Sequence, residues 1–127
     1  MTVKPHNKTP FPVEFIVDTG SPHTFIDENI TSNVRIFASN LTFDSQILIG
    51  GTKIGLYKLG DTDLFFADEN NQRSTIPFNS MKVSQNARPG SKSVYTATSI
   101  LGIDFLLETE GSLLVNPSKN IAYIEIP

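Results

Sequence analysis

The carboxylate of Asp18 comes at the end of an apolar stretch, within the sequence FIVDTGSPHTFI that runs from Phe15 to Ile26. An Asp in such a place is costly to desolvate unless hydrogen bonds or a second charge compensate it. Two interpretations are open. Asp followed two positions later by Gly is a common turn former, because Asp bonds its own backbone and Gly accepts a positive φ. Alternatively, Asp18 is placed there for acid–base chemistry.

The residue inventory excludes several other chemistries. The 127 residues contain no Cys, which excludes thiolate catalysis, disulfides and Cys-type zinc sites. The two histidines, His6 and His23, are too few for a His-rich metal site. We therefore expect no metal and no cofactor. A net charge of −3 without any basic stripe argues against a nucleic-acid partner.

Membrane association and secretion are not expected either. No apolar run approaches the roughly 18 residues that a membrane span requires. The polar first ten residues lack the apolar core of a signal peptide, and with the missing cysteines this predicts a cytoplasmic location. Three N-x-T sequons, at Asn7, Asn29 and Asn40, are then attributed to chance. The length fits a single domain, residues 1–127, which can bury a core without metals or disulfides.

The elements that must position Asp18 are strands. Apolar residues alternate from Phe11 to Val17, and the additional apolar Ile16 predicts a central strand, buried on both faces, that leads into Asp18. A second alternating stretch, residues 41–49, leads to a hairpin tip at Gly50–Gly51.

Further strands and one helix complete the pattern. Strands flank the polar loop 68–74, another follows the solvated loop 85–93, and two more surround a turn at residues 116–118. The helical pattern lies between Asp104, which suits a helix N-terminus, and Gly111, which suits the left-handed position that ends a helix. Many short strands and one short helix predict an all-β domain, closed or sandwich-like.

Three features favour chemistry over a simple turn at Asp18. The motif ends a strand that is apolar on both faces, whereas ordinary turns follow polar strand ends. An apolar run resumes at once with Phe25 and Ile26. Far downstream, two apolar residues and a Gly, the segment Ile100-Leu101-Gly102, precede the predicted helix.

This combination resembles the retropepsin-like aspartic proteases, the single-lobe family of retroviral and retroelement proteases and their cellular relatives. The resemblance rests on the segments FIVDTGSPHTFI, LIGGTKIG and SILGIDFL, and the order of the parts covers nearly the whole chain. It implies a closed β-barrel lobe with one short C-terminal helix and a flap hairpin.

The resemblance also implies an aspartic endopeptidase that is active as a homodimer. The sequence holds one Asp-Thr-Gly, since the GDTDL segment at Gly60 lacks the Gly, so the paired carboxylates are Asp18 of each copy. They share one proton and activate a water that cleaves an extended peptide or protein substrate. By analogy with the pepsin pair, whose apparent pKa values are about 1.5 and 4.7, we expect an acidic optimum, about pH 3–5.

Roles for other residues follow from the same resemblance. The hydroxyl of Thr19 braces both catalytic turns across the two-fold axis, and Gly20 permits close approach of backbone and substrate. Ser21 supports the catalytic turn and is expected to donate to the Asp18 carboxylate. Ile100, Leu101 and Gly102 form a structural motif. The flap is assigned to residues 46–56, with substrate-binding positions at Leu48, Ile49, Gly50, Gly51, Thr52 and Ile54.

Apolar residues in the flap and at Phe25 suggest that hydrophobic side chains flank the scissile bond, and Tyr57 is a further candidate for the cleft. Such a substrate binds as an added strand. The apolar segment 120–127 is expected to pair across the dimer, because an uncovered edge strand invites aggregation, and Met1–Lys4 is a further contributor to that sheet.

Two departures from the family pattern bear on the dimer. Many viral members pair an acid with an Arg at the positions that hold Pro22 and Ile103 here. Both partners are missing together, so no orphan charge is buried and the dimer relies on other contacts. Two alternatives stay open: a retropepsin-like dimerisation or peptide-binding module with little or no catalysis, and an unrelated small β-barrel binding module.

Overall fold

The computed structural model describes residues 1–49, 51–68, 70–85 and 98–127. Strands account for 54% of these residues, and the helices are few and short, so the all-β class predicted from the sequence is confirmed. Some predictions fall outside the described residues. These are Gly50 at the hairpin tip, Glu69 in the loop 68–74, and residues 86–97, which include most of the loop 85–93.

The described chain contains ten strands and two α-helices. The strands are β1 (Thr2–Pro5), β2 (Phe11–Pro12), β3 (Phe15–Val17), β4 (Phe25–Asp27), β5 (Thr42–Ile49), β6 (Thr52–Ala67), β7 (Arg73–Ser84), β8 (Ser99–Leu101), β9 (Ser112–Asn116) and β10 (Ile121–Glu125). The helices are α1 (Glu28–Thr31) and α2 (Ile103–Thr109), with 3-10 turns at Ser32–Val34, Ala38–Asn40 and Pro117–Lys119. Within the described ranges, neither helix has the length and apolar character that crossing a bilayer requires.

Eight of these strands form one sheet that curls into a half-barrel. Its path is β2-β1-β6-β7-β4-β8-β3, and β5 pairs with β6 off this path. The sequence pattern indicated two separate segments where the structure has the single 16-residue strand β6. The pairing of β6 with β7 is irregular at Gly60, where φ is +84°, and the strand bends there. Because of this bend, β6 pairs with both β1 and β5. Closure into a complete barrel stays a prediction.

The strand β8 lies between β3 and β4, although β3 and β4 are consecutive in the chain. β3 runs parallel to β8, with Val17 opposite Leu101, and β4 meets β8 antiparallel at Phe25 and Ile100. The segment from Asp18 to Thr24 must therefore pass over the end of β8 to connect its two neighbours. This arrangement places the Asp18 turn against the segment Ile100-Leu101-Gly102.

Three fully buried phenylalanines, Phe25, Phe78 and Phe105, are among the largest side chains of the interior. The rings of Phe78 on β7 and Phe105 on α2 meet edge to face, with centroids 5.6 Å apart. Each such side chain contributes about 1.5–3 kcal/mol through burial. Helix α2 is thereby fixed to the sheet directly after Gly102, which steadies one side of the Asp18 turn.

The prediction that β3 is a central strand was wrong. In the single chain β3 ends the path of the main sheet, and Ile16 and Val17 are 58% and 42% exposed. A strand that is apolar on both faces is expected to be buried on both faces. The pattern does not tell whether the residues that bury it belong to the same chain. The strand that leads into Asp18 instead presents an apolar surface.

The chain termini lie in different sheets. Met1–Lys4 was expected beside the C-terminal strand, but β1 pairs with β2 and β6 in the main sheet, where Val3 is fully buried. β10 pairs with β9 in a separate two-stranded sheet around the predicted turn, and Tyr123 there is 54% exposed. Pairing of β10 across a dimer stays a prediction.

Helix α2 ends one residue earlier than the sequence suggested. Glu110, with φ of +56°, takes the left-handed position that was assigned to Gly111. The N–H of Gly111 donates to the Leu106 carbonyl and completes the end of the helix. At its start, Gly102 is the N-cap residue and Asp104 lies in the first turn.

Candidate active site

The turn that carries Asp18 is fixed where it leaves β3. The N–H of Asp18 donates to the carbonyl oxygen of Leu101 at 3.0 Å, which extends the pairing of β3 with β8. The N–H of Gly20 donates to Asp18 Oδ1 at 2.9 Å, and that of Ser21 donates to the Asp18 carbonyl at 3.0 Å. Asp18 therefore closes a tight turn through both its side chain and its backbone.

The Asp18 side chain is exposed in the single chain, as are Thr19 and Gly20. Among the described residues, Gly20 is the hydrogen-bond partner of Oδ1, and Oδ2 has none. The two residues that precede Asp18 are the exposed Ile16 and Val17. A carboxylate oxygen thus lies at the surface next to apolar side chains, on a turn whose backbone is held in place.

The predicted hydrogen bond from Ser21 to the Asp18 carboxylate is not formed, and that prediction was wrong. Ser21 Oγ donates to the His23 carbonyl at 2.8 Å and accepts from the His23 N–H at 3.3 Å. Serine hydroxyls readily bond the backbone two residues on, and this local partner competes successfully with the carboxylate. Ser21 therefore shapes the second half of the turn.

The second half of the turn packs tightly against Gly102. The Ser21 carbonyl accepts a hydrogen bond from the N–H of Ile103 at 2.8 Å. A Cβ atom at Gly102 would lie 2.4 Å from the His23 carbonyl oxygen and 2.7 Å from that of Ser21. Only glycine permits this approach, which explains why the predicted structural motif ends in Gly.

A polar network that the sequence interpretation missed supports the turn from behind. Thr24 is fully buried, and its hydroxyl donates to Asp104 Oδ1 at 2.6 Å and accepts from the N–H of Gly102 at 2.9 Å. The N–H of Thr24 donates to Asp104 Oδ2 at 3.1 Å. Eighty residues separate Thr24 from Asp104 in the chain, so no local pattern signals this contact. Asp104 was expected only as a helix-terminal charge.

A cation from β7 completes the network. Lys82 is 9% exposed, and its Nζ lies 3.7 Å from Asp104 Oδ2. The same Nζ donates to the Ser80 carbonyl at 3.3 Å. Lysine is almost never enclosed to this extent without a partner, and Asp104 is that partner.

The predicted flap is a regular hairpin of β5 and β6. Ile49 pairs with Thr52 and Leu48 pairs with Lys53, while Gly51 has the positive φ of +80° that a tight tip requires. Leu48 is 69% exposed. Movement of this hairpin over a substrate stays a prediction.

Two residues that were expected to line the substrate face are enclosed in the single chain. Phe25 is 1% exposed and Ile54 is 4% exposed, so neither offers a surface to a peptide, and the structure corrects those two assignments. The side chains of a hairpin alternate between its two faces, and Ile54 lies on the inner one. Phe25 belongs to β4, inside the sheet.

An aromatic pair lies at the base of the hairpin. The rings of Phe43 and Tyr57 meet edge to face with centroids 5.6 Å apart, and Phe43 is 52% exposed. The Tyr57 hydroxyl donates to Gln85 Oε1 at 3.2 Å. These contacts hold Tyr57 at the root of the flap hairpin.

Within the described ranges, no group of three or more His, Cys, Asp or Glu side chains is arranged to hold a metal ion. No family model matches the chain, and neither a curated protein nor a solved structure matches it. Functional inference therefore depends on the residues of the Asp18 turn and on the geometry around them.

Proposed function

We propose that two copies of this chain form a retropepsin-type aspartic endopeptidase, in which the Asp18 carboxylates meet at a two-fold axis. The observation that carries this proposal is the combination of a fixed backbone with an exposed carboxylate. Asp18 is anchored to Leu101, yet its side chain is exposed. Catalytic groups require such pre-organisation, because misplacement by about 1 Å can lower the rate by about 100-fold.

The way in which the turn is held also supports catalysis over simple chain reversal. A surface turn needs its own short-range hydrogen bonds, and Gly20 and Ser21 supply them. This turn is in addition tied to β8 at its start and packed on Gly102 at its end. Chain reversal requires neither of these long-range anchors.

The chemistry would use one proton shared by two carboxylates. The ionised carboxylate takes a proton from water while the water oxygen bonds to the peptide carbon, and the protonated carboxyl gives its proton to the carbonyl oxygen. The peptide nitrogen then receives a proton from one carboxyl, the C–N bond breaks, and a hydroxyl of the intermediate returns a proton to the other carboxylate. Both carboxyl groups finish as they began, and no covalent intermediate forms.

A second copy would supply both the missing carboxylate and a cover for exposed apolar side chains. Those side chains share high exposure and an apolar character. They include Ile16, Val17, Leu107, Val115, Ile121 and Tyr123. Pairing of the β9–β10 sheets of two copies would also cover its edges.

The substrate would be an extended peptide laid beside the flap hairpin as an added strand. Leu48 and Phe43 are exposed apolar residues of the hairpin. Hydrophobic residues on either side of the scissile bond match that surface.

The first test is incubation of the purified protein with a diverse peptide pool from pH 3 to pH 7. We expect cleavage between hydrophobic residues, with a maximum at about pH 3–5, because the dyad must hold one proton. Analytical ultracentrifugation over a range of concentrations should show a dimer. A strictly monomeric species, or a cleavage maximum at or above neutral pH, would contradict the proposal.

Mixing experiments test the sharing of one site by two chains. When Asp18→Asn protein is exchanged into wild-type protein in equal amounts, heterodimers form and activity should fall to about half, because each site then needs two wild-type copies. A monomeric enzyme would keep its full activity. Asp61→Asn protein, altered at an exposed position, is the control and should exchange without loss.

A second candidate is a dimeric peptide-binding module with little catalysis. It is favoured by the commitment of the Ser21 hydroxyl to His23, which leaves the carboxylate without that side-chain donor. Such a module would bind peptides from the same pool without cutting them. The unrelated binding module would show neither dimerisation nor a dependence on Asp18.

A further inference from the structure

Lys82 is an enclosed cation whose presence the stability of the fold does not explain. Its ion pair with Asp104 is 3.7 Å long, with side-chain exposures of 11% and 20%. Taking two charges out of water costs several kcal/mol per ion, and apolar replacements of such pairs are often equally stable. Lys82 alternates along β7 with Met81 and Val83, which belong to the hydrophobic core, so its side chain lies on the other face of the strand.

The carboxylate that Lys82 pairs with is shared with the Asp18 turn. Asp104 Oδ2 lies near Lys82 Nζ and also accepts from the Thr24 N–H, while Oδ1 accepts from the Thr24 hydroxyl. The backbone N–H of Lys82 donates to the Thr24 carbonyl at 3.3 Å. That backbone contact does not involve the Lys82 side chain, so the charge of Lys82 acts on Thr24 through Asp104.

The ionised carboxylate fixes the direction of the Thr24 hydroxyl. A carboxylate only accepts hydrogen bonds, so the Thr24 hydroxyl must donate to it and keeps its lone pairs for another donor. That donor is the N–H of Gly102, at 2.9 Å. The bond from the Thr24 hydroxyl to the Asp104 carboxylate is charge-assisted, and such bonds are about twice as strong as neutral ones.

The peptide group between Leu101 and Gly102 joins this network to Asp18. Its N–H end is bound by Thr24, and its carbonyl end accepts the N–H of Asp18 at 3.0 Å. A peptide group is planar, so fixing one end fixes the other. A continuous series of polar contacts thus runs from the Lys82 ammonium to the backbone of Asp18.

We propose that Lys82 is a positioning residue for Asp18, an inference that builds on the proposed peptidase function. Its charge orients Asp104, and Asp104 sets, through Thr24 and the Leu101–Gly102 peptide group, the place of the Asp18 backbone. Lys82 touches neither the substrate nor the reacting atoms. Its removal should misplace the carboxylate by a fraction of an ångström without unfolding the sheet.

The test uses Lys82→Met, which keeps the aliphatic stem and removes the charge, with Lys82→Arg as the conservative variant. Lys58→Met is the matched control, because Lys58 is exposed and lies directly opposite Lys82 across β6 and β7. For Lys82→Met we expect kcat to fall about tenfold with KM unchanged, since small misplacements cost up to about 100-fold. Lys82→Arg should recover most of that loss, and Lys58→Met should show none.

A readout independent of catalysis separates this inference from the peptidase proposal. In two-dimensional ¹H–¹⁵N spectra, Lys82→Met should shift the amide resonances of Gly102 and Asp18, and Lys58→Met should leave both in place. If wild-type protein cleaves nothing, the peptidase proposal fails, and these shifts still decide whether Lys82 controls the Asp18 backbone.

The melting temperature of Lys82→Met is the last quantity to be measured. Lys82→Met should melt within a few degrees of wild type, because Asp104 keeps its two hydrogen bonds to Thr24 and its side chain, 20% exposed, still reaches water. Unaltered Gly102 and Asp18 resonances, or wild-type kcat in active protein, would overturn the positioning role. So would a loss of kcat that Lys58→Met reproduces. Should Lys82→Met fail to fold, Lys82→Gln takes its place with the same expectations.

Discussion

Asp18 begins the segment 18–24 and Asp104 binds Thr24 at its end, and the two carboxylates are held in opposite ways. Asp104 accepts from the N–H and the hydroxyl of Thr24 and pairs with Lys82, so its oxygens are engaged by the protein. Asp18 accepts from Gly20 alone among the described residues, and its side chain is exposed. The Asp104 carboxylate is largely shielded from solvent, whereas the Asp18 carboxylate is exposed.

Under the proposed function, the difference separates structural support, at Asp104, from chemistry, at Asp18. A carboxylate whose lone pairs are all engaged has little capacity left for water or a substrate, but it fixes what it binds. A carboxylate on a fixed turn with an available oxygen can accept a proton without disturbing the interior. Substitutions at the two positions should therefore affect different properties, stability at Asp104 and activity at Asp18.

The largest effect is expected from Asp18→Asn. Cleavage should fall by about 10²–10⁴-fold, the range that a lost acid–base group produces. The free energy of unfolding should change by no more than about 0.5 kcal/mol, because the site is exposed and Asn can still accept from Gly20. Initial rates of peptide cleavage and urea unfolding measure the two quantities. Unaltered cleavage would remove Asp18 from the reaction.

Asp104→Ala should lower the stability of the fold, the property that Asp18→Asn leaves nearly unchanged. Unfolding free energy should fall by about 3 kcal/mol, because Lys82 is left as an enclosed charge and Thr24 loses two partners. Urea unfolding measures the loss, and Asp61→Ala, at an exposed position, is the control and should lie within about 0.5 kcal/mol of wild type. A loss at Asp104 no larger than at Asp61 would contradict the supporting role.

Gly102→Ala tests the close packing that joins the two regions. Its new Cβ would lie 2.4 Å from the His23 carbonyl oxygen, so the turn must shift or the strand must move. We expect a loss of about 1–3 kcal/mol, typical of overpacking, with reduced cleavage. Gly55→Ala is the matched control for stability, because the nearest neighbours of its Cβ would be movable side-chain atoms, of Tyr57 at 3.1 Å and of Gln85 at 3.5 Å. Equal effects of the two variants would argue against special packing at Gly102.

Ser21→Ala should have the smallest effect. Its hydroxyl bonds only the backbone of His23 among the described residues, so the loss should be about 0.5–1.5 kcal/mol. The pH at which cleavage is maximal should stay the same, since the hydroxyl does not reach the carboxylate. A displaced pH maximum would restore the hypothesis that Ser21 donates to Asp18. Thermal unfolding and pH–rate profiles make the comparison.

Local sequence signals predicted the parts of the site that lie close together in the chain. Alternating apolar residues and a glycine pair predicted the hairpin of β5 and β6, and the register from Gln46 to Leu56 follows that pattern. The Asp-x-Gly spacing predicted the tight turn at Asp18, because such a turn depends on three residues only. The all-β class follows from the same short-range periodicity.

Features set by distant contacts could not be predicted in this way. The place of β3 at the end of the sheet depends on which strand it pairs with, and that strand, β8, is more than eighty residues away. The Lys82–Asp104–Thr24 network joins three elements whose residues look ordinary in isolation. The end of α2 is a local failure of prediction, because Glu110 takes the left-handed position although a Gly follows it.

The insertion of β8 between β3 and β4 has a consequence for synthesis of the chain. A ribosome makes Asp18 before the strand that anchors it, which is completed only with Leu101, 83 residues later. Until then the Asp18 turn lacks its long-range anchor, since contacts between distant segments form late. Under the proposed function, the nascent chain would therefore cleave nothing until β8 has been made.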